Sequence, residues 1–344
     1  METELLSEAY QRLHGAGPEW GENTLTNHGP MAVEVLVRRG HVGEVHGWLD
    51  RYIGRLDDLP ASTEAVGDRN WRQALGDERR IGDWTAYLTR QVTERPWRDV
   101  LATWWPRLLP GIVAGTTHGV IRVGHAVRTL LTGDTSRPVL VELAHGLAFW
   151  AARFRAVPGA QSPAGRLPAN AVLAMLPRLD RQAGTVAERL ARLPEVPGWT
   201  STVAALRAPS DPDDARAILS DLTTAATLRY ATHGHANPVL LVHTATAPNA
   251  VLHVLPALPR ELWSASLAAA WSATAAVLSA YAPGTATPDR LPVVTGDDAD
   301  VLARAVAHGD EHVIKFADTA VDVYHRTGDR AALVAAVRAA ELIG

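Results

Sequence analysis

Lys315 is the only lysine in a chain of 344 residues, although lysine and arginine together number 33. A buried amine can lose its proton and then act as a nucleophile, base or ligand, whereas a guanidinium stays charged. His308 and His312 precede this lysine at a spacing of i, i+4, i+7, which puts all three on one helical face. The spacing predicts a chemical role for Lys315; the alternative is a solvated helix that kept a lysine by chance.

Three further histidines lie in apolar or glycine-rich surroundings on separate predicted helices. They are His28, His118 and His243. Imidazoles suit Zn, Cu, Fe or Ni, and a first-row metal between helices needs about four to six donors. Beside such a metal, Lys315 has three uses: a Schiff base, a general base, or a carbamate formed with carbon dioxide whose oxygen binds the metal. A Schiff base leaves the histidines unexplained, and the alternative without a metal is a core of satisfied histidines plus a surface lysine.

Weaker patterns surround His118 on the predicted helix 112–131. Arg122 and His125 share its helical face, and the glycines of this region indicate close approach of a neighbouring element or a ligand. On the next predicted helix, 137–155, Glu142 and His145 have the i, i+3 spacing of carboxylate-bridged metal sites in helical bundles. A single copy of that pattern more often marks a buried, hydrogen-bonded histidine.

Helical periodicity runs through nearly the whole chain, and period-2 alternation is almost absent. We therefore predict an all-α fold, with residues 1–344 forming a single large multi-helix domain and the metal site buried between helices. From residue 158 to 212 the chain is rich in Pro, Gly, Ala, Ser and Arg, which predicts short helices. We interpret this segment as a lid or excursion that covers the site, not as a separate domain.

The composition excludes several classes of function. The chain has no cysteine, so disulfides and thiolate chemistry are excluded. Its net charge of -4, without basic clusters, argues against nucleic acid and anionic membranes as partners. With no apolar leader at the start and no run of about 18 apolar residues, we expect a soluble cytoplasmic protein. Flavin, NADPH and other nucleotide-binding motifs are missing. Candidates for an aromatic pocket wall are Trp84, Trp104, Trp105 and Trp150, although each also suits an ordinary core.

Four segments carry a resemblance to a known family. They are Asn27-His28-Gly29-Pro30-Met31-Ala32, Leu109-Pro110-Gly111 with Thr117-His118-Gly119-Val120-Ile121-Arg122, Val242-His243-Thr244-Ala245-Thr246-Ala247, and His312-Val313-Ile314-Lys315. In this order they resemble the questin oxidase family, the ring-cleaving oxygenases of aromatic polyketide pathways. The resemblance implies oxygenative cleavage of a carbon–carbon bond in an anthraquinone-like ring, with molecular oxygen as co-substrate.

The resemblance also implies a ligand set. His28, His118, His243 and His312 would bind iron, most simply Fe(II), with Lys315 carboxylated, and some family members use external NADPH. Arg122 stands where fungal members often have a second histidine, and it would bind an acidic or phenolate oxygen of the substrate.

Second-layer roles and competing readings remain open. His125, His145 and His308 would orient the ligands through their other ring nitrogens, and the sequence leaves open whether His308 replaces His312. A zinc or manganese ion would favour a hydrolase or isomerase instead, and histidines that are merely buried would favour a helical ligand-binding protein. The oligomeric state also stays open.

Overall fold

Helices make up nearly all the regular structure of the protein. The structure is a computed structural model, and it describes residues 2–22, 24–287 and 291–344. Within those ranges the only strands are β1 (Glu19–Trp20) and β2 (Leu25–Thr26), which pair antiparallel. The all-α prediction is confirmed. The helices of this domain group into two compact units. One contains the residues up to Ala156 together with His253–Pro259, and the other contains Val157–Leu252 and the residues from Arg260 onward.

The first unit is organised around one central helix, α8. Thirteen of its 16 residues are buried, and it contacts α1, α5, α6 and α7. A helix that is apolar on almost all sides belongs in the middle of a bundle. The helices of this unit are α1 (Glu2–Leu13), α2 (Gly29–Arg38), α3 (Val45–Ile53), α4 (Trp71–Ala74), α5 (Ile81–Glu94), α6 (Trp97–Leu108), α7 (His118–Leu131) and α8 (Arg137–Ala152).

Two glycines let α7 and α8 approach closely. A Cβ atom on Gly119 would lie 2.8 Å from the Cβ of Trp150 and 2.9 Å from its Cα. On the facing helix, a Cβ on Gly146 would lie 3.1 Å from Cγ2 of Val123. The glycines of this region thus mark the crossing of two helices, one of the two readings that the sequence allowed.

The second unit is built around α12, which contacts α9, α15, α17 and α18. This helix of 22 residues begins where Asp211 accepts a hydrogen bond from the backbone of Asp214 and Pro212 occupies the first turn. The helices of this unit are α9 (Ala169–Met175), α10 (Val186–Ala191), α11 (Trp199–Ala204), α12 (Pro212–His233), α13 (Pro238–Leu241), α14 (His243–Val254, except for its last two residues), α15 (Trp263–Tyr281), α16 (Asp298–His308), α17 (Glu311–Thr327) and α18 (Ala331–Leu342).

The segment 158–212 contains three short helices, α9, α10 and α11, as its composition predicts. It is attached to the second unit, since α9 contacts α12 and α10 contacts α15. A role for this segment in covering a site stays a prediction.

Two helical stretches are long and apolar enough to cross a membrane: Pro238–Ala257 and Arg260–Tyr281. In each, 72% of the most apolar window is buried inside the protein. Burial of this extent is that of core helices, and it is consistent with a soluble protein.

The crossing of α7 and α8 leads to a stability prediction. We expect Gly119→Ala to lower the free energy of unfolding by about 1–3 kcal/mol, because the added methyl group overlaps the Trp150 backbone and must push the helices apart. Urea unfolding measures the change. The control is Gly43→Ala, where a Cβ meets nothing within 4 Å. Equal stability of the two variants would contradict the proposed crossing.

Candidate metal centre

His118 is the first residue of α7, and an unusual turn precedes it. The sequence predicts a helix from residue 112, but α7 begins six residues later because Gly115, Thr116 and Thr117 adopt positive φ angles of 51°, 56° and 71°. A left-handed backbone is sterically costly for residues with a Cβ, and β-branched residues adopt it least readily. The turn brings His118 to the start of α7 with only 6% of the residue exposed.

The hydrogen bond of the His118 ring defines its tautomer. Nδ1 contacts the carbonyl oxygen of Gly115 closely, and it lies 3.4 Å from Oγ1 of Thr26. A carbonyl oxygen can only accept, so Nδ1 carries the proton, and the lone pair of the neutral imidazole is on Nε2. Histidine ligands of metals are commonly oriented in this way.

His28 lies beside His118 in the first unit. It occupies the N-cap position of α2 but makes no capping hydrogen bond with its side chain; Asn27 Oδ1 accepts from the backbone of Gly29 instead, at 3.0 Å. The His28 backbone N–H donates to the Tyr52 hydroxyl at 2.6 Å. Its ring stacks on that of His118 at 4.5 Å between centroids and 22° between planes. The first unit therefore contains a buried pair of stacked imidazoles.

The second unit contains another pair of histidines. His243, the first residue of α14, is 1% exposed, and its ring centroid lies 6.0 Å from that of His312 in an edge-on arrangement. Asp310 caps α17 by accepting the backbone N–H groups of His312 at 2.8 Å and Val313 at 3.2 Å, and its Oδ1 lies 3.4 Å from Nδ1 of His312. Although burial opposes it, these contacts lower the pKa of Asp310 to about 2. The anionic cap therefore faces one side of the His312 ring.

Lys315 follows His312 by one turn of α17 and is 2% exposed. Burial lowers its pKa to about 8, and the nearby carboxylates of Glu311 and Asp310 only partly oppose this. Among residues 2–22, 24–287 and 291–344, none makes a hydrogen bond or ion pair with its amine. Burial without a bonded partner favours the neutral amine over the ammonium ion.

The single helical face predicted for His308, His312 and Lys315 is wrong. His308 is the last residue of α16 and is exposed, whereas the other two lie on α17. Gly309 ends α16 with a left-handed φ of 83°, and Asp310 starts a new helix. Of the two histidines that the sequence left open, only His312 shares a helix with Lys315.

Arg122 forms a buried ion pair with Glu142. Its Nε and Nη2 donate to the two carboxylate oxygens at 2.5 and 2.8 Å, and both side chains are at most 3% exposed. His14 Nε2 lies 3.5 Å from the same carboxylate. Although burial raises it, Arg122 and His14 lower the pKa of Glu142 to about 2. Nε and Nη2 of Arg122 therefore bind Glu142. Contact of Arg122 with a substrate stays a prediction, and that contact would use Nη1.

His125 and His145, two further candidate histidines, are also buried in the first unit. The His145 ring lies 4.8 Å from that of His14 and is tilted by 36° to it, and burial together with the charge of Arg122 lowers the pKa of His145 to about 3. His125 Nδ1 lies 2.8 Å from Oε2 of Glu34, which also binds Arg128. Their proposed role in orienting metal ligands stays a prediction.

Sequence reasoning missed several residues of these clusters. Glu34 is 2% exposed and lies in the apolar run Met31–Val37. A single acidic residue inside an apolar run is the sequence feature that could have identified it as a buried, paired carboxylate. The left-handed turn at Thr116 and Thr117 had no such signal, because threonine gives no indication of positive φ.

The four candidate wall tryptophans lie in the core of the first unit. Trp84 packs edge-to-face on Trp104 at 5.3 Å, and Trp105 packs on Trp150 at 5.2 Å. The indole N–H groups of Trp84 and Trp150 donate to backbone carbonyls at 3.0 Å. These are the arrangements of ordinary core aromatics.

Comparison with protein-family models gives no match, and comparison with curated proteins gives none either.

The ion pair of Arg122 and Glu142 generates a prediction about pH. Glu142→Gln leaves a buried guanidinium uncompensated, and we expect a loss of about 3–5 kcal/mol of unfolding free energy at pH 7. Because the folded pKa of Glu142 lies below the unfolded value of 4.5, the wild type has this stabilisation above about pH 4.5 and loses it as the pH falls toward 2. The gap between wild type and variant should therefore narrow in acid, as urea unfolding across pH would measure.

The control for that experiment is Glu341→Gln, which breaks the exposed pair of Glu341 with Arg338. A surface pair contributes about 0–1 kcal/mol. A gap for Glu142→Gln that stayed constant down to pH 2 would contradict the assignment.

Proposed function

We propose that this chain is a cytoplasmic, non-haem iron-dependent oxygenase that cleaves a carbon–carbon bond in a quinone or phenolic polyketide. The substrate class, the need for molecular oxygen and any use of external NADPH rest on the resemblance of four segments to the questin oxidase family. The proposed ligands of the metal are His28, His118, His243, His312 and Lys315.

The observation that carries the proposal is the state of Lys315. It is 2% exposed and unpaired among the described residues, and an ammonium in such a place costs several kcal/mol of desolvation. The neutral amine avoids this cost and can add carbon dioxide: an N–C bond forms, the nitrogen loses a proton, and the product is a carbamate anion. This reaction makes a neutral amine into an oxygen ligand of negative charge, which a guanidinium cannot become.

The imidazoles fit a first-row metal for three reasons. His118 has its lone pair on Nε2 because Nδ1 is bonded to the Gly115 carbonyl. Each unit contains a close pair of rings, His28 with His118 and His243 with His312. Nitrogen ligands with one carboxylate-like oxygen are the donor set that non-haem iron prefers.

Iron bound by these ligands would supply redox chemistry toward oxygen and Lewis-acid polarisation of a phenolate or enolate. The chain's own contribution is to fix the ligands before the metal arrives. The Gly115 carbonyl orients His118, Asp310 faces the His312 ring, and α17 presents Lys315 one turn after His312. The carbamate would offset part of the charge of the cation.

Lys315→Arg is the sharpest test of the metal site. We expect purified wild type to contain stoichiometric iron, and Lys315→Arg and His118→Ala to lose it, because arginine forms no carbamate and alanine has no imidazole. Metal analysis by mass spectrometry measures this, with circular dichroism to monitor the fold. The matched control is His46→Ala, an exposed histidine of α3 that should change nothing.

The outcomes separate the proposal from its alternatives. Metal-free wild type that is folded would contradict it, and stoichiometric zinc or manganese would favour a hydrolase or isomerase. Oxygen consumption with a panel of anthraquinones tests the reaction class. Labelled bicarbonate and carbon-13 NMR test the carbamate, whose signal should be missing from Lys315→Arg.

The break between α16 and α17 predicts which histidine of this region is a ligand. We expect His312→Ala to lower bound iron strongly and His308→Ala to retain it, since His308 is exposed and ends a different helix from Lys315. Metal content of the two variants decides this. Loss of iron in His308→Ala alone would reverse the assignment.

A further inference from the structure

The turn before α7 contains three consecutive residues in the left-handed region. Thr116 and Thr117 have φ angles of 56° and 71°, and in the part of the chain that the structure describes the only other non-glycine with positive φ is Thr24, at 49°. Two adjacent β-branched residues in this conformation are strained, and such strain persists only where the surroundings impose it.

Several contacts impose the turn. A Cβ on Gly115 would lie 2.6 Å from the ring of Phe149, so only glycine fits beside this ring. Thr116 donates its backbone N–H to Val113 at 3.0 Å, and the Thr117 carbonyl accepts from Ile121 at 3.1 Å. Thr117 is 1% exposed, so its side chain is held within the protein.

The turn fixes the direction of one carbonyl oxygen, that of Gly115. The Gly115 oxygen accepts the backbone N–H of His118 at 3.2 Å and also contacts its ring Nδ1. The backbone and the ring of His118 are therefore both held by this oxygen, and the direction of the oxygen depends on the turn. If the turn relaxed, this carbonyl would rotate, and the ring would lose the partner that keeps its proton on Nδ1.

We propose that Thr116 and Thr117 are positioning residues that preorganise His118 as an Nε2 ligand; the proposal rests on the proposed function, in which His118 binds the metal. β-branched side chains have few rotamers and few backbone states. Once the fold has imposed the left-handed turn, threonines therefore leave it less freedom than glycines would. A flexible turn would have to be ordered when the metal binds, which weakens binding.

The double substitution Thr116→Gly/Thr117→Gly tests this. In metal-free protein, nitrogen-15 NMR should show His118 as the Nδ1–H tautomer in the wild type and as a mixture in the variant. Titration with Co²⁺ as the probe, followed by its absorption, should give a Kd about tenfold or more above the wild-type value, within the range known for partners that orient ligands. The melting temperature of the metal-free variant should be equal or higher, because glycine relieves the strain.

Thr24→Gly is the matched control. It removes a positive-φ threonine from an exposed turn outside the start of α7, so the melting temperature should change in the same sense while the Kd for Co²⁺ and the His118 tautomer stay as in the wild type. If the double variant fails to fold, Thr117→Asn decides, since asparagine accepts left-handed φ and keeps a side chain there. It should keep the fold and weaken Co²⁺ binding less than glycine.

The results distinguish the two proposals. A double variant with wild-type Kd and wild-type tautomer overturns the positioning role while the metal site stands. Wild type that takes up no Co²⁺ contradicts the proposed function and, with it, this inference. A Kd raised equally by Thr24→Gly would show that the effect is a general consequence of stability, which also overturns the inference.

Discussion

A charge buried away from water needs a partner of opposite sign, or the group must gain or lose a proton and become neutral. The interior of the first unit meets this requirement twice, with Arg122 on Glu142 and Arg128 on Glu34. Both arginines lie on α7, and their partners belong to α8 and α2. The helix that begins with His118 is therefore held on two sides by buried ion pairs that are costly to separate.

Lys315 is the exception to that rule, and the exception is informative. The interior of the first unit supplies an ion-paired carboxylate for each of its buried guanidinium groups, whereas the buried amine of α17 forms no ion pair with any residue that the structure describes. In a chain that otherwise uses arginine, the one lysine is found where a permanent cation would be least stable. Composition and burial thus point to the same residue by independent routes.

Periodicity was sufficient to predict the all-α class and most helices, because apolar stripes at helical spacing leave little choice of structure. It failed where a local backbone state overrides the pattern. Gly309 separates His308 from His312, and the left-handed turn delays α7 to His118. Ion pairs between distant segments were also beyond it: nothing at Arg122 indicates that Glu142, 20 positions later, takes up its charge. Burial and His tautomers depend on such tertiary contacts.

The division of the chain also bears on the order in which the protein is made. Residues His253–Pro259 belong to the first unit, although the long stretch Val157–Leu252 of the second is synthesised before them. During synthesis on the ribosome the first unit can begin to fold early, but it stays incomplete until residue 259 has emerged. By then residues Val157–Leu252 of the second unit have been synthesised, whereas its helices after Arg260 have not. Neither unit is therefore a continuous block of sequence that a gene fusion or a simple truncation could transplant.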